Sequence, residues 1–241
     1  LSADDSLMRG SGYRPHNRDV REGSYQRAPS YRGGMRAIQV DERDSSWESN
    51  EPRYRIYVFE GPGSAVTTVD LVDATLRDVE SSATTLAGDD RLWSVALVVD
   101  DSTHGRGLIW LVGGDYNSPP TSPREWRMRA EMQDRLLSRR SQKKLPLTLP
   151  DGRRVIRLFP DWGREWPLWE SFSERYALAA RDLPLSRELA ADLHQWNAVW
   201  QARDETEPVP EGWIEHGRLL HARMQEQLDE LAEVRPDFEM P

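Results

Sequence analysis

The chain has 241 residues, of which 37% are hydrophobic and 30% charged, and a formal net charge of −9. It contains no cysteine, which excludes disulfides, thiolate zinc sites and cysteine nucleophiles and is compatible with a cytoplasmic location. No run reaches the roughly 18 apolar residues of a membrane span, and LSADDSLMRG lacks the basic and apolar regions of a secretory signal. The charge is uneven. Residues 35–123 carry seven basic and fifteen acidic side chains, and 145–241 carry eleven and nineteen. Residues 124–144 carry eight and three. Two acidic bodies joined by a basic connector repel nucleic-acid phosphates and suit a basic partner.

In chain order, residues 1–34 read as a disordered tail. They are short of aliphatics, and Tyr13, Tyr25 and Tyr31 alternate with arginines, a pattern shared by leader segments and by single-strand RNA-binding tails. Met35 resembles an ordinary protein start, so the residues before it are expected to be extra translated sequence. YRIYVFE (54–60) alternates and predicts a strand, GPGS (61–64) a turn, and AVTTVD (65–70) a short second strand. Asp70 and Asp73 have the spacing of a helix cap with an acid at its third position. Val72, Leu76, Val79, Ala83 and Leu86 then form one helix face, ended by Gly88. LWSVALVVD (92–100) and GLIWLVGGD (107–115) are nearly continuous apolar runs, which predicts a central hairpin covered on both faces.

Ser122-Pro123-Arg124-Glu125 predicts a helix start, and that helix runs to about 140 with a ragged apolar stripe of Trp126, Met128, Ala130, Met132, Leu136 and Leu137. QKKLPLTLPDG (142–152) breaks the pattern and marks a domain boundary. RRVIRLF (153–159) predicts a strand. A helix capped by Ser186 carries Leu189, Leu193, Trp196 and Trp200. A last helix carries Trp213, Leu220, Met224, Leu228 and Leu231 on one face. VRPDFEMP closes the chain without an assigned element.

MRAIQVDERDSSWE, YRIYVFEGPG and LWSVALVVDD with RGLIWLVGGDYN together resemble a group of small uncharacterised actinobacterial proteins over about 35–140. VIRLFPDWGREWPLWE with DLPLSRELAADLHQWNAVW resembles a second such group over about 150–241. The two resemblances imply a fusion of two small proteins and supply no activity. VTTVDLVDATL, the following apolar strand and GGD, in 65–115, are also similar to bacterial immunity proteins that neutralise toxins.

The densest chemical signal is RLFPDWGREWPLWESF (157–172), with Trp162, Trp166 and Trp169 inside eight positions. A small module gains core area from tryptophan, so a core role is expected. With Arg164 and Glu165 among them, the same five residues also have the make-up of a partner-binding patch. Asp161 and Glu165 evoke a metal nuclease, but the Glu-x-Lys that chemistry needs is missing, and Asp161 is expected to cap the turn before Gly163. His16, His104, His194, His216 and His221 show no zinc-helix or triad spacing and are expected at the surface. GPGS and GGD lack the phosphate-loop pattern. Asp100, Asp101 and Asp115 lie at strand ends, where they are either solvated or a divalent-ion site.

The resulting expectation is an α+β protein. A disordered tail (1–34) precedes a small module ending in a basic helix (35–144) and a Trp-rich module with two C-terminal helices (145–241). Each module is a short, mainly antiparallel sheet packed with helices. The leading functional expectation is a cytoplasmic, non-enzymatic, acidic protein-interaction or regulatory protein, immunity-like, with a protein partner, no cofactor and no membrane. The alternatives are a metal-dependent enzyme built on Asp100, Asp101 and Asp115, and weak nucleic-acid binding through the tail and the basic helix. That helix is expected to dock on the acidic modules beside it.

Overall fold

The computed structural model describes residues 37–61 and 65–239. The tail with its tyrosines and His16, the start at Met35 and positions 62–64 of the GPGS turn lie outside these residues. Residues 37–52 contain no helix or strand. The described residues from Asp41 to Glu239 form one compact unit.

The fold is α+β, with four α-helices and two four-stranded sheets among the described residues. The first sheet is antiparallel. Its strands are β1 (Arg53–Phe59), β2 (Val66–Leu71), β3 (Leu92–Asp101) and β4 (Gly105–Val112), in the order β2-β1-β3-β4. Helix α1 (Leu76–Ala87) covers one face, packing Val79, Ala83 and Ala87 against Ile56, Val58, Trp93 and Val95.

Its start corrects an expectation. Asp70 is strand residue and ion-pair partner of Arg53 and Arg55, and the cap is Thr75, in a box with Asp78. The side chain of a strand residue points across the sheet and has no helix N–H to accept from, so the cap falls where the chain leaves β2. The buried stripe accordingly runs along 79, 83 and 87, leaving Val72, Leu76 and Leu86 exposed.

The second sheet contains β5 (Arg154–Leu158), the two-residue strands β6 (Leu168–Trp169) and β7 (Ala177–Leu178), and β8 (Ala232–Arg235), in the order β7-β6-β5-β8. The pairing of β5 with β8 is parallel, reached through helices α3 (Arg187–Gln201) and α4 (Trp213–Leu228). These helices form the larger core with Ile156, Leu158, Leu168 and Val234. VRPDFEMP therefore opens with strand residues, and α4 ends at Leu228, leaving Leu231 outside its face. Four residues in parallel pairing carry too short a pattern to read from sequence.

Helix α2 (Pro123–Gln142) lies between the two sheets. Met132 and Leu136 pack on Phe59 and Leu92, while Leu137 packs on Val155 and Leu149. The ragged stripe is the signature of a helix buried on two sides. Its basic residues dock as expected. Arg139 donates to the Gly88 carbonyl, Arg140 to that of Asp89 at 3.0 Å, and Lys143 to the Asp89 carboxylate at 2.7 Å.

The expected double covering of the hairpin holds for β3 only. β4 is an edge strand and largely exposed. Among the described residues no helix is long and apolar enough to cross a membrane.

Candidate functional site

The tryptophan stretch divides by depth. Trp169 is 1% exposed, stacks on Phe159 at 4.9 Å and donates its indole N–H to the Phe159 carbonyl at 2.8 Å. Trp166 is half-buried against the second core, edge-on to His194 at 5.5 Å. Trp162 is 41% exposed and lies 4.4 Å from Trp200, with the Arg203 guanidinium over both rings. Arg164 and Glu165 are exposed, but their carbonyls are held by Asn197 Nδ2 at 2.7 and 3.1 Å. The innermost tryptophan pair is Trp196 with Trp213. The rings stack at 4.2 Å, and each indole N–H donates to the other residue's carbonyl. Helical spacing showed the face but not this reciprocal bonding between two helices.

Asp161 accepts from the Trp162 amide at 2.8 Å, a local turn contact. Asp100 and Asp101 sit at the β3–β4 hairpin, whereas Asp115 lies beyond the other end of β4, so the three acids do not come together. Among the described residues no three His, Asp or Glu are grouped to hold a metal ion. His221 departs from its surface expectation. It is part-buried, donates from Nε2 to the Val234 carbonyl at 2.8 Å and meets the Trp126 ring edge-on.

The sheet edges differ in what they offer. β7 is two residues long. β8 is closed by α4. Gln225 accepts from the Val234 amide at 2.8 Å and donates to the Ala232 carbonyl at 3.1 Å, while His221 takes the Val234 carbonyl. β2 presents threonines and Asp70. β4 is different. Its outer edge pairs with no strand among the described residues. It carries Leu108, Ile109 and Leu111 at 37%, 53% and 42% exposure. A register shift against β3 makes Leu111 a bulged residue, a device found at sheet edges and beside binding sites.

A cavity of about 580 Å³ opens beside this edge. It is lined by Ile109 and Trp110 of β4, the loop 114–122, and Met128 and Met132 of α2. Gly113 and Gly114 permit the close approach of those methionines. Gly113 has φ +66°, and a Cβ there would lie 2.8 Å from Met132. The rim is polar, with Asp115, Arg124 and Glu125. Hydrogen bonds from Thr121 and Ser122 hold the Glu125 carboxyl below its ordinary range, so it is ionised at neutral pH.

Beneath the cavity lies a buried polar network that sequence reasoning missed. Glu233 of β8 accepts from Arg129 and Gln133 of α2 and from the Tyr116 hydroxyl. Arg129 also donates to the Tyr116 carbonyl at 2.7 Å, with its guanidinium 3.6 Å from that ring's centroid. Burial, reinforced by the Glu233 carboxylate, pushes the Tyr116 hydroxyl far above its ordinary pKa, so it remains protonated and donates. These partners are about a hundred residues apart in sequence, and a lone Glu in AEVR gives no sign of them. Tyr116 and Arg129 of this network form part of the cavity lining.

Compared with known proteins, the chain matches no family model, no curated protein and no solved structure.

Proposed function

We propose that this protein is a non-enzymatic protein-interaction module that takes an extended partner segment along the open edge of β4. The observation that carries the reading is the contrast between edges. β8 has its outer hydrogen-bonding groups closed by Gln225 and His221, whereas β4 presents an unpaired edge and three exposed aliphatic residues. Sheet edges template a further strand unless charge, proline, cover or a bulge blocks them, and the bulge at Leu111 leaves the stretch from Gly105 to Trp110 as the regular part of this edge. Strand addition is a recurrent mode of peptide recognition. The adjoining cavity supplies an apolar recess with a polar rim, the usual composition of a recognition pocket.

A cytoplasmic setting and the immunity-like character suggested by the sequence belong to the same proposal, supported by the acidic balance and the lack of cysteine. A metal-dependent reaction on Asp100, Asp101 and Asp115 has less support, because the length of β4 separates Asp115 from the other two. The test is amide hydrogen exchange on the full chain with and without a partner captured from native extract. Slowed exchange over 105–112, with loss of capture in Ile109→Lys at unchanged melting temperature, is the expected result. Loss of capture in Trp162→Ala alone would move the interface to the Trp162–Trp200 patch.

A further inference from the structure

We infer that the cavity between β4, loop 114–122 and α2 is a binding site for an uncharged, largely apolar small molecule of the size of a bicyclic aromatic. Strand addition, which is carried by the contrast between the sheet edges, is independent of it. What selects such a ligand is the set of groups around the hollow and what each of them already holds.

The polar lining is committed to the protein itself. Asp115 accepts from the Asn117 amide at 3.1 Å and from the Ser118 hydroxyl at 2.7 Å. Glu125 accepts from the Thr121 amide and hydroxyl at 2.6 and 2.7 Å and from the Ser122 amide at 3.1 Å. Ser122 Oγ accepts from the Glu125 amide at 3.3 Å. On the floor, Arg129 donates to Glu233 and to the Tyr116 carbonyl, and the Tyr116 hydroxyl donates to Glu233. Arg153 approaches Glu233 at 3.5 Å and is itself held by Asp151 at 2.7 Å, with the exposed Asp229 at 3.9 Å. No charge on the floor lacks a counter-charge. At the mouth Arg124 stands with Asp115 and Glu125, so an incoming charge of either sign meets one of its own kind as well as its opposite. A charged ligand group would give up its water here for no unspent partner, which is costly, whereas an apolar body leaves water favourably.

The apolar walls supply what remains. Trp110, Pro119 and Pro120 give flat, stiff surfaces, and Trp110 is backed by Tyr57, with ring centroids 5.0 Å apart. Met128 and Met132 are unbranched thioethers, which adapt to the outline of a ligand and make favourable contacts with aromatic rings. The frame is preset by the turn at Asp115, the capping box and the bonded Tyr116, so a ligand orders little of the protein on entry. At about 580 Å³ the hollow has the size of a small-molecule site, roughly 300–1,000 Å³. It is far larger than the roughly 30 Å³ of one water. Such a site reads shape and polarisability, with no charge to read.

The test titrates the full chain with the neutral fluorescent reporter N-phenyl-naphthylamine and displaces it with three compounds of like shape: naphthalenemethanol, naphthoate and naphthylmethylammonium. The reporter should saturate one site with a Kd of roughly 10–100 µM. Naphthalenemethanol should displace it about tenfold more effectively than either charged compound. Met128→Glu sets a carboxylate in the wall. Gly114→Leu fills the hollow from the facing side, where an added Cβ meets only the end of Met128, at 3.2 Å. Each should weaken reporter binding by about tenfold or more at unchanged melting temperature. The two changes come from different walls, so a misfolded variant leaves the other decisive. Trp162→Ala should leave binding as it is, which separates the cavity from the exposed Trp162–Trp200 patch. Absence of saturable binding, or binding that survives both wall variants, would overturn the inference and leave strand addition standing. Displacement led by naphthoate or by naphthylmethylammonium would overturn the uncharged class. If the naphthyl compounds are inert and only a partner captured on β4 displaces the reporter, the hollow is an anchor pocket for a partner side chain and the inference fails.

Discussion

Glu233 is the residue with most at stake. Its carboxylate is buried with Arg129, and Arg153 approaches it at 3.5 Å. Removing Arg129 leaves the buried carboxylate with only the longer Arg153 contact and two neutral donors, so Arg129→Ala should destabilise the protein by about 3 kcal/mol in urea denaturation. Replacing both Arg129 and Glu233 with methionine should cost less than the single change. If Arg129→Ala melts like wild type, the network is not a structural anchor. His221 gives a second residue-scale prediction. Burial lowers its pKa below the ordinary 6.5, against opposing effects of the Val234 carbonyl, Glu239 and Glu233. The folded form thus resists protonation. Above pH 6.5 both states are neutral at this site and it adds no pH dependence. Below 6.5 the unfolded chain takes up the proton first, so stability falls as pH falls. His221→Gln, which keeps a donor for Val234, should flatten the stability profile between pH 7 and 5. An unchanged slope would assign the loss to other groups.

At the scale of the element, α4 contains a glycine that propensity alone would replace. Gly217 is buried mid-helix, where alanine is ordinarily favoured by about 1 kcal/mol. A Cβ there would stand 2.8 Å from Phe238 and 2.9 Å from Trp196. These rings pack edge-on at 5.3 Å, and Trp196 is pinned by its stack on Trp213, so Phe238 would have to give way. Gly217→Ala should therefore destabilise by about 1–3 kcal/mol, the usual range for overpacking. A stabilised variant would show that the ring pair relaxes. For α2 the relevant element is the capping box of Ser122 and Glu125 at the cavity rim. Ser122→Ala should cost about 1 kcal/mol and loosen loop 114–122, read as faster amide exchange there. The start of this helix was legible in four residues, because a cap is local chemistry. The cap of α1 was not, because β2 continues through Asp70 before the chain turns at Thr75.

For the whole molecule, α2 decides how the parts respond together. It contributes Met132 and Leu136 to one sheet's core and Leu137, Gln133 and Arg129 to contacts with the other. Loss of packing in the second sheet should therefore reach the first. Trp169→Ala, a large-to-small change in a buried site, should cost about 3–5 kcal/mol and speed amide exchange in β3 as well as β5. Unaltered protection of β3 would instead mean that the two sheets unfold independently. The same arrangement explains the basic connector. Arg129, Arg139, Arg140 and Lys143 spend donors on Gly88, Asp89, Tyr116 and Glu233, which leaves less of that charge for an outside polyanion.

What the sequence determined by itself was local. Alternation over 54–60 and the long apolar run at 92–100 made strands, Ser122 and Ser186 started helices, and Leu189, Leu193 and Trp196 marked a buried face. Each of these depends on residues within a few positions of one another, where period and capping act. Tertiary structure decided the rest. It placed β4 at an edge although its residues read as interior, because burial of a strand depends on which neighbours pair with it. It drew Ala232–Arg235 into parallel pairing with β5 across some eighty residues, a match no local pattern encodes. It sent Trp169 inward and left Trp162 outside, since a shared spacing says nothing of what lies against each ring. The candidate site follows from these decisions. The open edge, the cavity beside it and the Glu233 network all arise where distant segments meet, and only their apolar and charged ingredients were visible beforehand.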